Sequence, residues 1–67
     1  MELYQLRTFQ AVAESGNISR AAEQLNTSQP AVSAQIKALE DEFGTQLFIR
    51  TSKGVTLTEQ GEEIQKR

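Results

Sequence analysis

Residues 18–43 constrain the fold more than any other part of this sequence. Their sequence, ISRAAEQLNTSQPAVSAQIKALEDEF, predicts a short helix, a tight turn and a longer helix with apolar and polar residues on opposite faces. The apolar stripe of the longer helix is spaced i, i+4, i+7, i+11 and comprises Val32, Ile36, Leu39 and Phe43. A helix held by one face, with small and hydrogen-bonding side chains on the other, has the geometry of a helix-turn-helix recognition helix.

Length and composition exclude several classes of protein. Sixty-seven residues make one small domain, and the absence of Cys and His excludes disulfides, thiolate nucleophiles and the usual zinc ligands. No apolar run approaches the roughly 20 residues of a membrane span, and the N-terminus lacks the pattern of a signal peptide. We therefore expect a soluble, cytoplasmic protein that binds no cofactor, metal or membrane and is not an enzyme.

The charge balance is unusual for a nucleic-acid-binding domain. Seven Lys and Arg residues against nine Asp and Glu residues give a net charge of -2, whereas isolated domains of that class are usually basic. The distribution of charge along the sequence favours DNA binding more than the net charge does. The segments expected to face DNA carry Arg20, Lys37, Arg50 and Lys53, and the acidic residues 40–42 are interpreted as a solvated helix end.

Two helices are predicted before the turn. The first spans residues 2–14, with its apolar positions three or four apart, and Ser15-Gly16-Asn17 provides the stop. The second spans residues 20–25 with Ser19 as its N-cap. Its inward side is Ala21 or Ala22 together with Leu25, because only a methyl group fits where two helices cross closely.

The third helix has clear signals at both ends. Asn26 tolerates the left-handed conformation that a sharp turn needs, and Thr27 or Ser28 caps the helix. Pro30 falls in the first turn, where a missing N–H costs nothing, and Gly44 ends the helix.

A hairpin and the start of a fourth helix follow. Strands at residues 46–50 and 55–57 flank a polar tip at residues 51–54. A hairpin directly after a recognition helix is a wing. Thr58 caps a helix that runs to Arg67 without a stop signal, so we expect the chain to end inside an element that continues. Phe9, Phe43 and Phe48 are expected in the core, and Tyr4 has no assigned face.

The ordered motifs of this chain resemble those of a known family. They are a first helix containing Phe, then S-R-A-A-E-Q-L-N, S-Q-P-A-V-S, L-E-x-E-F-G, L-F-I-R and L-T-x-x-G. Over nearly its whole length the chain resembles the N-terminal domain of LysR-type transcriptional regulators. The resemblance implies a mainly α, winged helix-turn-helix fold with a three-helix core, a short β-hairpin wing and the start of a fourth, linker helix.

The resemblance also implies an organisation and a set of partners. Residues 1–57 would form the DNA-binding domain, and residues 58–67 would begin the linker helix that pairs two subunits. The partner would be double-stranded DNA, bound by a dimer. In such regulators a small-molecule effector binds a large C-terminal domain, which this sequence does not contain.

The first two turns of the third helix hold the candidate base contacts. Gln29 offers a donor and an acceptor to an adenine edge, and Ser33 offers a hydroxyl. Pro30 and Ala34 offer apolar contact, for instance with a thymine methyl. The alternative is an ordinary solvated helix face. Ala34 also departs from the larger, often basic residue that many relatives carry at that place.

The candidate contacts to the DNA backbone come from several segments. Arg50 is expected on a phosphate, Lys53 at the wing tip over the minor groove, and Lys37 on a phosphate rather than a base. The alternative for Arg50 and Lys53 is that they are ordinary surface residues, because hairpin tips are usually polar and charged. The remaining candidates lie at helix starts or in the wing and are Ser19, Arg20, Thr27, Ser28 and Thr51. Each hydroxyl among them can either cap a helix or bind phosphate.

Two functions of different classes follow from these patterns. The first is sequence-specific binding of double-stranded DNA by a dimer on a pseudo-palindromic site, with the third helix in the major groove. The second is a winged-helix module that binds protein and not DNA, which the low pI of about 5.0 would suit. A protein-binding module should expose apolar anchors on the outer face of the third helix, where this sequence has Gln, Ser and Lys.

Overall fold

The computed structural model describes residues 2–66, which form four helices and one two-stranded antiparallel sheet. The elements are α1 (Leu3–Ser15), α2 (Ile18–Gln24), α3 (Gln29–Phe43), β1 (Phe48–Thr51), β2 (Gly54–Leu57) and α4 (Glu59–Gln65). This order confirms the winged helix-turn-helix that the sequence predicts. Within residues 2–66, no helix has the length and hydropathy needed to cross a membrane.

Helix α1 ends where the sequence predicts, within one residue. Gly16 follows it with a φ of 68°, and its N–H donates to the carbonyl oxygen of Val12 at 2.9 Å. A left-handed glycine that satisfies a carbonyl of the last turn is a common way for a helix to end.

The cap predicted for α2 is wrong: Asn17, not Ser19, is the N-cap. The Asn17 Oδ1 atom accepts a hydrogen bond from the Arg20 N–H at 3.0 Å, so the helix begins at Ile18 and Ser19 lies inside its first turn. Both inward alternatives are correct, since Ala21 and Ala22 are both buried. The chain leaves one helix at Gly16 and caps the next at the following residue, so no separate loop remains.

The predictions for α3 hold except at its last residue. Ser28 is the cap, its Oγ accepting from the Ala31 N–H at 3.2 Å, and the Thr27 N–H instead donates to the Ala22 carbonyl at 2.9 Å. Asn26 has a φ of 56°, as the turn requires. Phe43, expected in the core, is 39% exposed because it is the final residue of α3 and the chain turns away at Gly44.

The core lies where α1, α2 and α3 meet the base of the wing. Its largest fully buried side chains include Phe9, Leu39 and Leu47. The rings of Phe9 and Phe48 pack with their centroids 5.3 Å apart and their planes tilted by 53°, a favoured aromatic geometry. This contact joins the first helix to the wing. Tyr4 is exposed, as are Leu3 and Ile49.

The strands are shifted relative to the prediction. Strand β1 begins at Phe48 rather than at residue 46, because the backbone of Leu47 bonds to other elements. Thr51 pairs with Gly54, so the tip is Ser52-Lys53 rather than residues 51–54. The hairpin is therefore tighter than expected.

Helix α4 begins as predicted. The Thr58 Oγ1 atom accepts a hydrogen bond from the Gly61 N–H at 3.0 Å, Gly61 is buried, and Ile64 packs against the core. The helix ends at Gln65. Its predicted course to Arg67 lies outside the described residues.

The corrected cap leads to a prediction with a matched control. Asn17→Ala should lower the free energy of unfolding by about 1 kcal/mol, because the Arg20 N–H loses its acceptor. Ser19→Ala should change it by less than about 0.5 kcal/mol. Urea unfolding followed by circular dichroism measures both. A larger loss for Ser19→Ala than for Asn17→Ala would restore Ser19 as the cap.

Candidate nucleic-acid interface

Two adjoining clefts separate α3 from the wing. The first, of about 380 Å³, lies between the starts of α2 and α3 and the wing tip, and its lining includes Asn17, Ser19, Gln29, Arg50, Thr51 and Lys53. The second, of about 490 Å³, runs along α3 and includes Ser33, Lys37, Glu40 and Arg50. Because Arg50 lines both, they form one continuous surface, called here the α3–wing cleft.

The candidate base contacts divide into two pairs. Gln29 and Ser33, one turn apart on α3, line the α3–wing cleft, Gln29 exposed and Ser33 half-buried. Pro30 and Ala34 are exposed on the neighbouring strip of α3 and do not line the cleft. The fold thus brings the two hydrogen-bonding side chains, rather than the two apolar ones, next to the wing.

Five of the candidate backbone contacts line the same cleft: Ser19, Lys37, Arg50, Thr51 and Lys53. Arg20, Thr27 and Ser28 do not line it.

The hydroxyls of Ser28 and Thr51 have structural partners. Ser28 caps α3, and the Thr51 Oγ1 atom accepts from the Lys53 N–H at 3.2 Å and donates to the Gly54 carbonyl at 3.3 Å. The Ser28 hydroxyl therefore has the capping role, and the Thr51 hydroxyl stabilises the turn of the wing. A hydroxyl oxygen with two lone pairs can accept a further bond, so this does not remove phosphate contact.

The α3–wing cleft is more basic than the chain as a whole. Lys37, Arg50 and Lys53 line it with Glu40, against a net charge of -2 for the full sequence. The Nζ of Lys37 lies 3.9 Å from the Asp41 carboxylate, both side chains being more than two thirds exposed. Such exposed pairs contribute less than about 1 kcal/mol, so Asp41 does not hold Lys37 away from a stronger anion.

Two glycine residues place the wing against the turn between α1 and α2. The Val55 N–H donates to the Gly16 carbonyl oxygen at 2.9 Å. Gly54 has a φ of 138°, and a Cβ built on it would overlap that same oxygen. This contact cannot be predicted from the sequence, since a Gly near a hairpin tip signals only a turn.

Glu40 is a second residue that sequence reasoning misplaced. The sequence predicts a solvated helix end at residues 40–42, whereas Glu40 is half-buried. Its Oε2 atom accepts hydrogen bonds from the N–H groups of Leu47 at 2.8 Å and Phe48 at 3.3 Å. No local signal could have found it, because the donors lie beyond a helix end and a turn.

Comparison with known proteins places this geometry in a family. Residues 3–62 match the family described as bacterial regulatory helix-turn-helix protein, lysR family. The chain belongs to the LysR family. It is 55% identical over 64 residues to the RuBisCO operon transcriptional regulator of Allochromatium vinosum, covering 96% of this chain and 21% of that protein. It is 56% identical over 61 residues to the HTH-type transcriptional regulator ClcR of Pseudomonas putida, covering 91% of this chain and 21% of that protein.

Solved structures of LysR-family proteins have the same fold. The CbnR_DBD–DNA complex matches with a TM-score of 0.93 and 42% identity, covering 98% of this chain and 76% of that one. The complex of BenM_DBD with catB site 1 DNA matches with a TM-score of 0.92 and 42% identity, covering 98% and 74%. The chain spans about a fifth of the length of the two regulators named above, 21% of each.

The glycine contact under the wing gives a prediction. Gly54→Ala should lower the free energy of unfolding by about 1–3 kcal/mol, because the added methyl overlaps the Gly16 carbonyl. Gly44→Ala is the comparison: its φ of 69° lies in the left-handed region that other residues reach at modest cost, and its Cβ would meet nothing within 4 Å. Urea unfolding should show a larger loss for Gly54→Ala, which adds both the overlap with Gly16 and the strain of a φ of 138°. A loss no larger than that of Gly44→Ala would contradict both contributions.

Proposed function

We propose that this chain is the sequence-specific, double-stranded DNA-binding domain of a LysR-type transcriptional regulator. Helix α3 enters the major groove, and the wing lies at the adjacent groove. The observation that carries the proposal is the α3–wing cleft itself. It joins a side chain able to read a base edge, Gln29, to the basic side chains of Arg50 and Lys53.

The structural relatives support this proposal. Two chains with 42% identity and TM-scores of 0.93 and 0.92 are described in complex with DNA. TM-scores this high show that the three chains share the winged-helix fold. Gln29, Pro30, Ser33 and Ala34 are the proposed base contacts, and the basic and hydroxyl residues around them are the proposed phosphate contacts.

We propose that this domain binds DNA tightly as part of a dimer. Residues 1–57 read the DNA, and residues 58–67 begin the helix that pairs two subunits across a pseudo-palindromic site. With roughly four to six phosphate contacts per subunit, affinity should fall steeply with salt. An acidic subunit binds weakly alone, and pairing raises the effective concentration at the second half-site.

The whole regulator is proposed to act in the cytoplasm, without catalysis, and to bind a small-molecule effector through a domain outside this sequence. The competing role, a winged helix that binds protein, would need apolar anchors on the outer face of α3. From residue 29 to residue 39, the large apolar side chains Val32, Ile36 and Leu39 are all buried. That face therefore favours DNA over a protein partner.

The direct test is a fluorescence-anisotropy titration at two salt concentrations. A duplex obtained by selection from random sequence is compared with a scrambled duplex, using the 67-residue chain and a chain with α4 extended. Salt-sensitive preference for the selected duplex supports the proposal. Absence of binding by folded protein in both forms would favour the protein-interaction role.

Gln29→Ala should reduce discrimination at one or two base pairs. The expected cost is about 1–3 kcal/mol on the selected duplex, because a donor–acceptor pair to a base edge is lost. Titrations against single-base variants of the duplex measure it. Equal losses on selected and scrambled DNA would contradict a base-reading role.

Arg50→Ala should weaken binding to all sequences and flatten the dependence of log Kd on log salt, because a phosphate contact is lost. Arg7→Ala is the matched control, since Arg7 is exposed on α1, outside the α3–wing cleft and the pairing helix. The same salt slope for Arg50→Ala and wild type would remove Arg50 from the phosphate contacts.

A further inference from the structure

We propose that Glu40 is a positioning residue for DNA binding, whose carboxylate fixes the angle between the recognition helix and the wing without touching DNA. This inference rests on the proposed function. A direct contact with phosphate cannot explain why the acidic side chain of Glu40 lies in an otherwise basic cleft, and a positioning role can.

The geometry of Glu40 joins α3 to the base of the wing. Its Oε2 atom accepts from two successive N–H groups, those of Leu47 and Phe48, at 2.8 and 3.3 Å. Leu47 is fully buried and precedes β1, so its N–H has no ladder partner in the hairpin. A buried N–H needs an acceptor, and an ionised carboxylate is a stronger one than a carbonyl.

The other attachments of the wing come from α1, the turn after it and the start of α4 rather than from α3. The Leu47 carbonyl accepts from the Thr58 N–H at 3.0 Å, and the Gln46 carbonyl accepts from the Thr58 Oγ1 at 2.7 Å. These bonds tie the wing to α4, and the Gly16–Val55 bond ties it to the turn after α1. The side-chain bonds of Glu40 come directly from α3. Without them the wing stays attached, so the domain should fold while the α3–wing cleft changes width.

The negative charge of Glu40 makes its role testable, because a positioning carboxylate and a bystander carboxylate predict opposite changes in DNA affinity when the side chain is removed. A carboxylate in the α3–wing cleft repels phosphate, so a Glu40 without a positioning role would oppose DNA binding. Removing a bystander carboxylate would tighten binding. Removing a positioning carboxylate should weaken it, because Arg50 and Lys53 are no longer held at the spacing that the DNA backbone requires.

The experiment compares Glu40→Ala and Glu40→Gln with Glu14→Ala and Glu14→Gln in the extended chain on the selected duplex. Glu14 is exposed on α1, outside the α3–wing cleft and the pairing helix, and gives the same changes of charge. Glu40→Ala should weaken binding roughly tenfold, the size expected when a hydrogen bond to a charged group is lost. Glu40→Gln should lose less, because an amide oxygen still accepts, and the Glu14 variants should stay within about twofold. Unchanged or tighter binding by Glu40→Ala would overturn the proposal.

A double-mutant cycle separates positioning of the wing from general destabilisation. If Glu40 acts through the wing, Glu40→Ala should lower DNA affinity only slightly in an Arg50→Ala background. In a Gln29→Ala background it should lower the affinity by the same factor as in the wild type. Equal losses in the two backgrounds would overturn the positioning role.

Amide NMR gives a readout that does not need DNA. In Glu40→Gln, the N–H resonances of Leu47 and Phe48 should shift and their hydrogen exchange should accelerate, while the Val55 amide, bonded to Gly16, keeps its exchange rate. Unaltered Leu47 and Phe48 amides would contradict the role of Glu40 in the structure. If wild type binds no duplex, the proposed function fails and the DNA part of this inference fails with it, while the amide data still test the attachment.

Discussion

The backbone of Leu47 is the point on which the arrangement of the domain depends. Its side chain is fully buried in the core, its N–H donates to Glu40 on α3, and its carbonyl accepts from the N–H of Thr58 before α4. Gly61 of α4 also packs on that carbonyl, closely enough that any Cβ would overlap it. One short irregular segment therefore connects the recognition helix, the wing and the fourth helix.

The wing is consequently held at both ends rather than at its hinge alone. Gly54 and Val55 contact Gly16 at the turn between α1 and α2, and the Phe48 ring packs on Phe9 of α1. A two-stranded hairpin is marginally stable by itself, so these contacts with the helices are what keep it in place. A wing in a fixed position presents Arg50 at a defined distance from α3.

Folding also reconciles an acidic composition with a basic surface. The net charge of -2 is a property of the chain, whereas the proposed DNA-binding surface is only one face of it. Lys37, Arg50 and Lys53 come from two elements and converge on that face. The acidic residue among them, Glu40, is engaged by backbone N–H groups, which offset part of its charge.

The sequence by itself determined the helices, the turn and most of the caps, because these depend on residues within one turn of each other. Local signals predict Asn26, Gly44 and Thr58 and limit the cap of α3 to Thr27 or Ser28, whereas Asn17 is not predicted because Ser19 is an equally good cap by residue type. Two short β-type runs around a polar tip, directly after the predicted recognition helix, predicted the wing. Tertiary structure alone decided that Glu40 bonds to the wing, that Gly54 meets Gly16 and that Phe43 is exposed. Each of these depends on which segments face each other after folding, and the spacing of apolar residues along one helix carries no information about that.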